Sequence, residues 1–376
     1  MRVVIIGVGG VGSIAAWRLA DTGQEVIALE QFRIDHDKGS SYGDSRIVRR
    51  VYPDPFYTSL MADAYVLWDG LMTQANDQGL FVRVGGVFCG ASDHQQVQAA
   101  AKALAASDVP YEVLDAAETT RRFPAFRLEG HEVAVYEQSM GYARASRCVR
   151  AAAQLARLHG ARIREDCQVA GIDAIAGSGV RVSLKSGERL TADRLLIAAG
   201  AWTKPLLKSL GVNIPLTVTR QPYVHLRPAC NAADFEIKRF PVWIDAGANA
   251  YGFPRLGDLP GVKLGLHNLG YEVSPETALR DVQESDREAA RSLAARRFPD
   301  LSSEVVYEKV CLYTNTPDED FIIDEIPGLP NALVLSACSG HGFKFMPLMG
   351  EIAARWALDR PIHYDLTRFR LARFMS

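Results

Sequence analysis

The chain is poor in cysteine and never places two cysteines close together. The six, at positions 89, 148, 167, 230, 311 and 338, form no CxxC and keep no regular spacing, which argues against a disulfide framework or a zinc site. Long apolar runs are missing too. Nowhere do eighteen apolar residues follow one another, so no membrane span is expected. Nor does one sign of charge dominate: 42 Lys and Arg face 44 Asp and Glu, for a formal net charge of −2. Both signs are mixed along the chain, leaving no basic footprint for nucleic acid and no polybasic membrane face. Internal repeats and low-complexity linkers are absent as well. The profile is that of a protein working on small molecules in a reducing cytoplasm, with no metal.

What is present begins at the N-terminus. Apolar Val3 to Ile6 leads into Gly7, Gly9 and Gly12, then a helical pattern to Gly23, a strand pattern from Val26 to Leu29, and Glu30. Glycines break the first apolar run at once, so it reads as a core strand and not a secretory signal. Strand, glycines, helix, strand and acid in this order make a complete βαβ dinucleotide unit. Gly7 permits the tight turn, Gly9 lets the backbone approach a pyrophosphate, and Gly12 lets the helix pack on the strand. Free N–H groups at the helix start receive the anion, and Glu30 stands where an acid accepts from a ribose hydroxyl. The unit specifies phosphate and ribose and leaves NAD and FAD undecided.

At 376 residues and 48% hydrophobic content, the chain is long enough for two domains. The stretch GSSYGDSRIVRR reads as a polar loop carrying Arg46 and Arg49, three apart, a spacing that could aim one guanidinium at a cofactor and the other at a substrate. A helical pattern follows from Thr58 to about Ala75. Residues 81–90, FVRVGGVFCG, read as paired strands, and Gln95 to Ala106 as a helix. Arg144 to His159 is again helical, then come strand-like Arg162 to Glu165, a hairpin, and a buried strand ending near Gly200. Residues 216–317 are rich in β-type segments and in turn signals such as YGFP and GDLPG, with one helix near Asp286 to Arg297. FIID, ALVLSA and a helix from about Pro347 to Leu358 restore the first pattern, with proline suited to the first helical position. The expected fold is α/β with an α+β second domain. A Rossmann-like dinucleotide domain (1–80, 143–215 and 318–376) is interleaved with a mixed or antiparallel-sheet substrate domain (81–142 and 216–317).

With these segments in place the chain resembles, nearly end to end, the monomeric sarcosine oxidase and N-methyltryptophan oxidase family, within the larger group of FAD-dependent amine and D-amino-acid oxidases. The carriers are GVGGVG at 7–12, GSSYGDSRIVR at 39–49, LIAAGAW at 196–202, YGFP at 251–254, KLGLH at 263–267, CLYTNTPDEDFIID at 311–324, SGHGFKF at 339–345, GEIAA at 350–354 and DLTRFRLARF at 365–374. The C-terminal wording is most similar to the N-methyltryptophan branch, whereas FYTSLM at 56–61 resembles pipecolate-oxidising relatives. The C-terminal FMS differs from relatives that carry a peroxisomal address.

The resemblance implies FAD held covalently by a thioether to Cys311; the other five cysteines read as inert core residues. It also implies a cofactor site of Gly7, Gly9, Gly12, Glu30, Ser45, Arg46, Gly200, Gly340, His341, Gly342, Phe343 and Lys344. The helix starting near Pro347 would aim partial positive charge at the flavin edge. For chemistry it implies Arg49 and Lys344 on a substrate carboxylate, which suits a planar guanidinium. Lys263 would be the oxygen-activating cation, with His267, Tyr251 and Tyr313 lining the substrate pocket. Strand alternation puts Lys263, Gly265 and His267 on one face. Trp243 is a candidate pocket wall by position. Arg50 stands where the sarcosine and methyltryptophan enzymes have histidine, and Met346 and Pro347 stand where they have small residues.

The implied activity is oxidation of a secondary-amine amino acid to an imine by FAD and oxygen, with hydrogen peroxide as by-product and no partner beyond a small amine and oxygen. The implied protein is a monomer. A cyclic imino acid or a fructosyl amino acid remains an alternative substrate, and a dehydrogenase an alternative enzyme. An NAD-dependent dehydrogenase fits the N-terminal unit but explains neither Cys311 nor SGHGFKF. A non-enzymatic flavin or nucleotide binder is the third reading.

Overall fold

The first strand, Arg2–Ile6, pairs in parallel with Glu25–Leu29 on one side and Arg194–Ile197 on the other. In the computed structural model, which describes residues 1–175, 179–257, 259–267, 270–336 and 339–375, these strands are the centre of a six-stranded sheet. Cys338 lies outside the described residues. Arg162–Arg164 closes one edge of the sheet; Leu329–Ser336 and the antiparallel Ile322–Ile326 close the other.

Alternation along the first strand sets the layers. Val3 and Ile5 pack against the helices Gly10–Asp21, Pro55–Gln74, Ala145–Leu158 and Met346–Ala357. Val4 and Ile6 pack with Ile172, Val180, Val182 and Leu184 of a small antiparallel sheet. Successive side chains point to opposite faces, so one strand joins two layers, and each buried aliphatic side chain contributes about 1.5–3 kcal/mol. The first helix lies so close to this strand that a Cβ on Gly12 would sit 1.8 Å from the Gly7 carbonyl oxygen.

A second, eight-stranded sheet runs in the order Leu301–Asn315, Thr217–Pro228, Val262–Leu266, Ala250–Gly252, Val242–Asp245, Gly86–Ala91, Glu132–Glu137, Glu112–Leu114. It is antiparallel except where Val242–Asp245 runs alongside Gly86–Ala91. Helix Glu284–Arg297 covers one face. Arg297, 1% exposed, lies between Asp245 at 2.7 Å and Glu132 at 2.6 Å, binding that helix to two strands. No helix among the described residues is long and apolar enough to cross a membrane.

The α/β class expected from the sequence is the observed one, with local corrections. FVRVGGVFCG is not a strand pair. Phe81–Arg83 joins Gly141–Ala143 in a three-stranded sheet, while Gly86–Ala91 enters the eight-stranded one. The Val84 and Gly85 N–H groups both donate to Met140, so the double glycine carries the chain between sheets instead of folding it back. The polar loop contains a strand, Arg46–Val48, paired with Gly141–Ala143. The following helix starts at Pro55, where Asp54 caps the Phe56 N–H at 2.9 Å. YGFP begins inside a strand and not in a turn. Pro347 is the second residue of its helix, after a 3-10 turn at Phe343–Phe345.

Candidate active site

The parallel strands end at one cavity, of about 380 Å³. Gly7 and Glu30 follow directly on two of these strand ends and Gly200 stands three residues past a third, which is where open α/β sheets hold ligands. They share the wall with Gly9, Arg46, Cys311, Tyr313, Gly340, Gly342, Phe343 and Met346. At the start of the first helix the Gly10 N–H donates to Ser41 Oγ at 3.0 Å. The Gly9 and Val11 N–H groups have no protein acceptor among the described residues, leaving donors for an anion. Glu30 accepts from the Val8 and Phe32 N–H groups at 2.9 and 3.0 Å. Burial pushes its carboxyl up, but His36 and these two N–H groups outweigh burial and hold it below the usual value. It is therefore an anion at neutral pH, able to accept from a sugar hydroxyl.

Opposite stands one face of the eight-stranded sheet. Cys311 faces Gln221 across its strand pair, Lys263 faces His225, and Gly265 faces Tyr251. These registers put Cys311, Tyr313, Lys263 and Tyr251 on a single face, while Val262, Leu264 and Val310 turn into the core behind. Arg46 donates to the Ser45 and Ser40 carbonyls at 2.7 and 2.8 Å and reaches Cys311 Sγ at 3.5 Å. Lys263 Nζ donates to Ser45 Oγ at 3.1 Å and lies 3.9 Å from the centre of the Tyr223 ring. Burial, then the neighbouring Arg46, hold this ammonium well below the ordinary lysine range.

An odd separation along extended backbone sends side chains to opposite sides. Arg46 therefore reaches Cys311, while Arg49 goes the other way, stacking at 4.3 Å on the Tyr52 ring and donating to the Val51 carbonyl. Lys344 meets the same tyrosine. Its Nζ donates to Tyr52 Oη at 2.9 Å and to the His341 carbonyl at 2.7 Å. None of these acceptors is a carboxylate. Burial pushes both cations below their usual values, and Arg49 lowers Lys344 further. His267 lies 3.3 Å from Tyr313 Oη, and burial, Arg49 and Lys344 push its imidazole down to about 4, so it is neutral at pH 7. Gly340, at φ +73°, admits these two rings: a Cβ there would meet Tyr313 at 2.4 Å and His267 at 2.7 Å.

Some expected positions fall elsewhere. Ser45, His341 and Lys344 sit beside the cavity and not on its wall, whereas Gly12 lies where the sequence assigned it, in the helix–strand contact behind the cavity. The His341 ring points into an aromatic cluster with Phe321 and Tyr57. Trp243 is no pocket wall: it is fully buried against Phe126 and Phe298, because its ring fills the space above Gly252 in the core. Three site residues escaped sequence reasoning: Tyr52, Ser41, and Tyr42, whose hydroxyl ties the loop to the Val310 carbonyl at 2.5 Å. The GSSYGDSR tract drew attention to the loop, but no spacing marks Tyr52.

The family model described as FAD dependent oxidoreductase matches residues 2–356. The chain belongs to this family. Among curated members, monomeric sarcosine oxidase of Streptomyces avermitilis is 37% identical, over 95% of this chain and 93% of its own length. Peroxisomal sarcosine oxidase of Homo sapiens is 33% identical over 99% and 96%, and N-methyl-L-tryptophan oxidase of Salmonella arizonae 32% over 99% and 98%. The solved structure of NikD, an unusual amino acid oxidase, matches with TM-score 0.86 at 24% identity, over 98% of this chain and 96% of its own. The flavoprotein is thus an oxidoreductase. The residues present fit FAD: free N–H donors at a helix start, a buried carboxylate at the sugar position, and a thiol on the wall of the same cavity.

Proposed function

We propose that this flavoprotein oxidises a secondary-amine amino acid of the N-methyl type, as the names of its sarcosine and N-methyltryptophan relatives suggest, with oxygen as acceptor and hydrogen peroxide as by-product. The observation that carries the reading is the pair of cations on Tyr52. Arg49 and Lys344 are drawn from water with neutral oxygens as their hydrogen-bond acceptors among the described residues, and an incoming carboxylate supplies the charge that burial leaves uncompensated. The carboxylate would fix the amino acid so that the C–H bond beside nitrogen faces the cavity. When bound, FAD supplies the two-electron acceptor for that bond. Neutral His267, with Tyr313 and Tyr251, would close the substrate side without adding charge. Lys263, on the same sheet face as Cys311, would place its ammonium where oxygen gains negative charge.

In this reading Cys311 carries the flavin covalently, the chain works as a cytoplasmic monomer, and the nucleotide and substrate domains divide at 1–80, 143–215 and 318–376 against 81–142 and 216–317. The division is supported by sheet membership, since strands from the two sets of segments do not mix in either large sheet. Cys311→Ser is expected to leave a yellow protein whose flavin is released by denaturation, where the parent retains a fluorescent band on a denaturing gel. A parent that releases all its flavin would sink the covalent bond.

The test of function is anaerobic mixing with sarcosine, N-methyltryptophan, pipecolate, proline and a fructosyl amino acid in turn, following the flavin's visible band. Rapid bleaching by the N-methyl compounds is expected. Bleaching by pipecolate or proline alone would move the substrate to the cyclic imino acids, and a protein bleached by none of the five would refute the reading.

A further inference from the structure

Tyr52 is buried between the two cations and makes a separate contact with each. Its ring carries the Arg49 guanidinium at 4.3 Å, and its hydroxyl receives Lys344 Nζ at 2.9 Å. The same hydroxyl lies 3.0 Å from His341 Nδ1, and the other ring nitrogen, Nε2, lies 2.9 Å from the Glu319 carbonyl. These contacts fix every hydrogen. A carbonyl oxygen only accepts, so Nε2 carries the imidazole proton and Nδ1 is the acceptor. Tyr52 therefore donates its O–H to His341 and keeps lone pairs for Lys344. The hydrogen bonds run in one direction, from lysine to tyrosine to histidine to backbone carbonyl. Burial and the neighbouring Lys344 hold the His341 imidazole well below its usual value, which keeps Nδ1 free to accept.

We propose that Tyr52 is a positioning residue for the carboxylate site, holding Arg49 by its ring and Lys344 by its hydroxyl, and that His341 fixes the direction of that hydroxyl. The inference rests on the reading that Arg49 and Lys344 receive the substrate carboxylate. Without His341 the tyrosine O–H is free to turn toward the ammonium, where a donor opposes a donor. Without the hydroxyl, Lys344 keeps the His341 carbonyl and loses one of its two hydrogen-bond anchors among the described residues. Aromatic contacts of His341 with Phe321 at 4.7 Å and Tyr57 at 5.1 Å hold the ring in place from the other side.

The test uses the flavin-loaded enzyme and propionate, a carboxylate that cannot react, with binding read from the perturbed visible band. Tyr52→Phe keeps the ring over Arg49 and removes only the hydroxyl. It is expected to weaken propionate about tenfold, the effect of one hydrogen bond to a charged group. KM for the amine substrate should rise by a similar factor while kcat falls by less, a split that general loosening of the fold would not produce. His341→Phe keeps the aromatic packing and should weaken propionate in the same direction by a smaller factor. The double variant should be no weaker than Tyr52→Phe alone, because both changes break one chain of bonds. Additive losses in the double variant would overturn the part given to His341. Undiminished propionate binding in Tyr52→Phe, beside clear weakening in Arg49→Met, would overturn the positioning role by itself. Undiminished binding in Arg49→Met as well would overturn the carboxylate site beneath it.

Discussion

Replacing Lys263 by methionine is expected to slow the oxygen-consuming step about 100- to 1,000-fold, the range lost when one preorganised electrostatic group is removed from a site. The effect on oxidation of the amine should be far smaller. Lys263 lies on the sheet face of Cys311, anchored to Ser45 and packed over Tyr223, whereas the proposed carboxylate cations gather on Tyr52. Methionine keeps the length and the packing and deletes the charge. Rapid mixing of substrate-reduced enzyme with oxygen isolates the step, and equal rates in parent and variant would remove Lys263 from the mechanism. The parent should also show a pH dependence. Burial and Arg46 lower the affinity of Lys263 for its proton, so the charged form disappears as pH rises through a value well below the ordinary lysine range. The oxygen step should therefore weaken as pH rises, and the methionine variant should lack that loss.

Gly12→Ala is expected to cost about 3 kcal/mol or more and to abolish flavin binding, since overpacking ordinarily costs about 1–3 kcal/mol where side chains can yield and here the obstacle is backbone. The added methyl would stand 1.8 Å from the Gly7 carbonyl oxygen, so the helix must lift from the strand that positions the anion-binding N–H groups. Gly171→Ala is the control, because a Cβ there meets nothing within 4 Å. Thermal unfolding and the ratio of visible to ultraviolet absorbance measure both effects. A yellow Gly12→Ala protein that melts with the parent would mean the contact is far looser than its geometry.

The same contact illustrates what was legible in the sequence. Gly12 could be read because the requirement is local: strand, turn and helix follow one another within a few residues. Helices Gln95–Ala106 and Ala145–Leu158 were legible for a similar reason, as their apolar periodicity and their ends are local properties. FVRVGGVFCG was misread because two glycines between apolar runs look alike whether the chain folds back or crosses to another sheet; the partner that decides, Met140, is far along the chain. Trp243 was misplaced because neither its own burial nor the bare Gly252 beneath it is marked in sequence. Arg46 and Arg49 could be read from their spacing as aimed at different groups, but the strand that holds them so is made only when Gly141–Ala143 arrives. Tyr52 was invisible, since its importance comes entirely from what converges on it.

The order of the six-stranded sheet sets a timetable for biosynthesis. Its strand Arg2–Ile6 is made long before one of its neighbours, Arg194–Ile197, and that strand waits in turn for Leu329–Ser336. The cavity wall has the same history, since Glu30, Gly200, Cys311 and Gly342 meet only once the chain has been made as far as Gly342. A chain that has not yet reached Cys311 and Gly342 thus carries only part of the cavity wall. Retention of the flavin is expected only once these distant segments have docked, so yellow colour would report their docking.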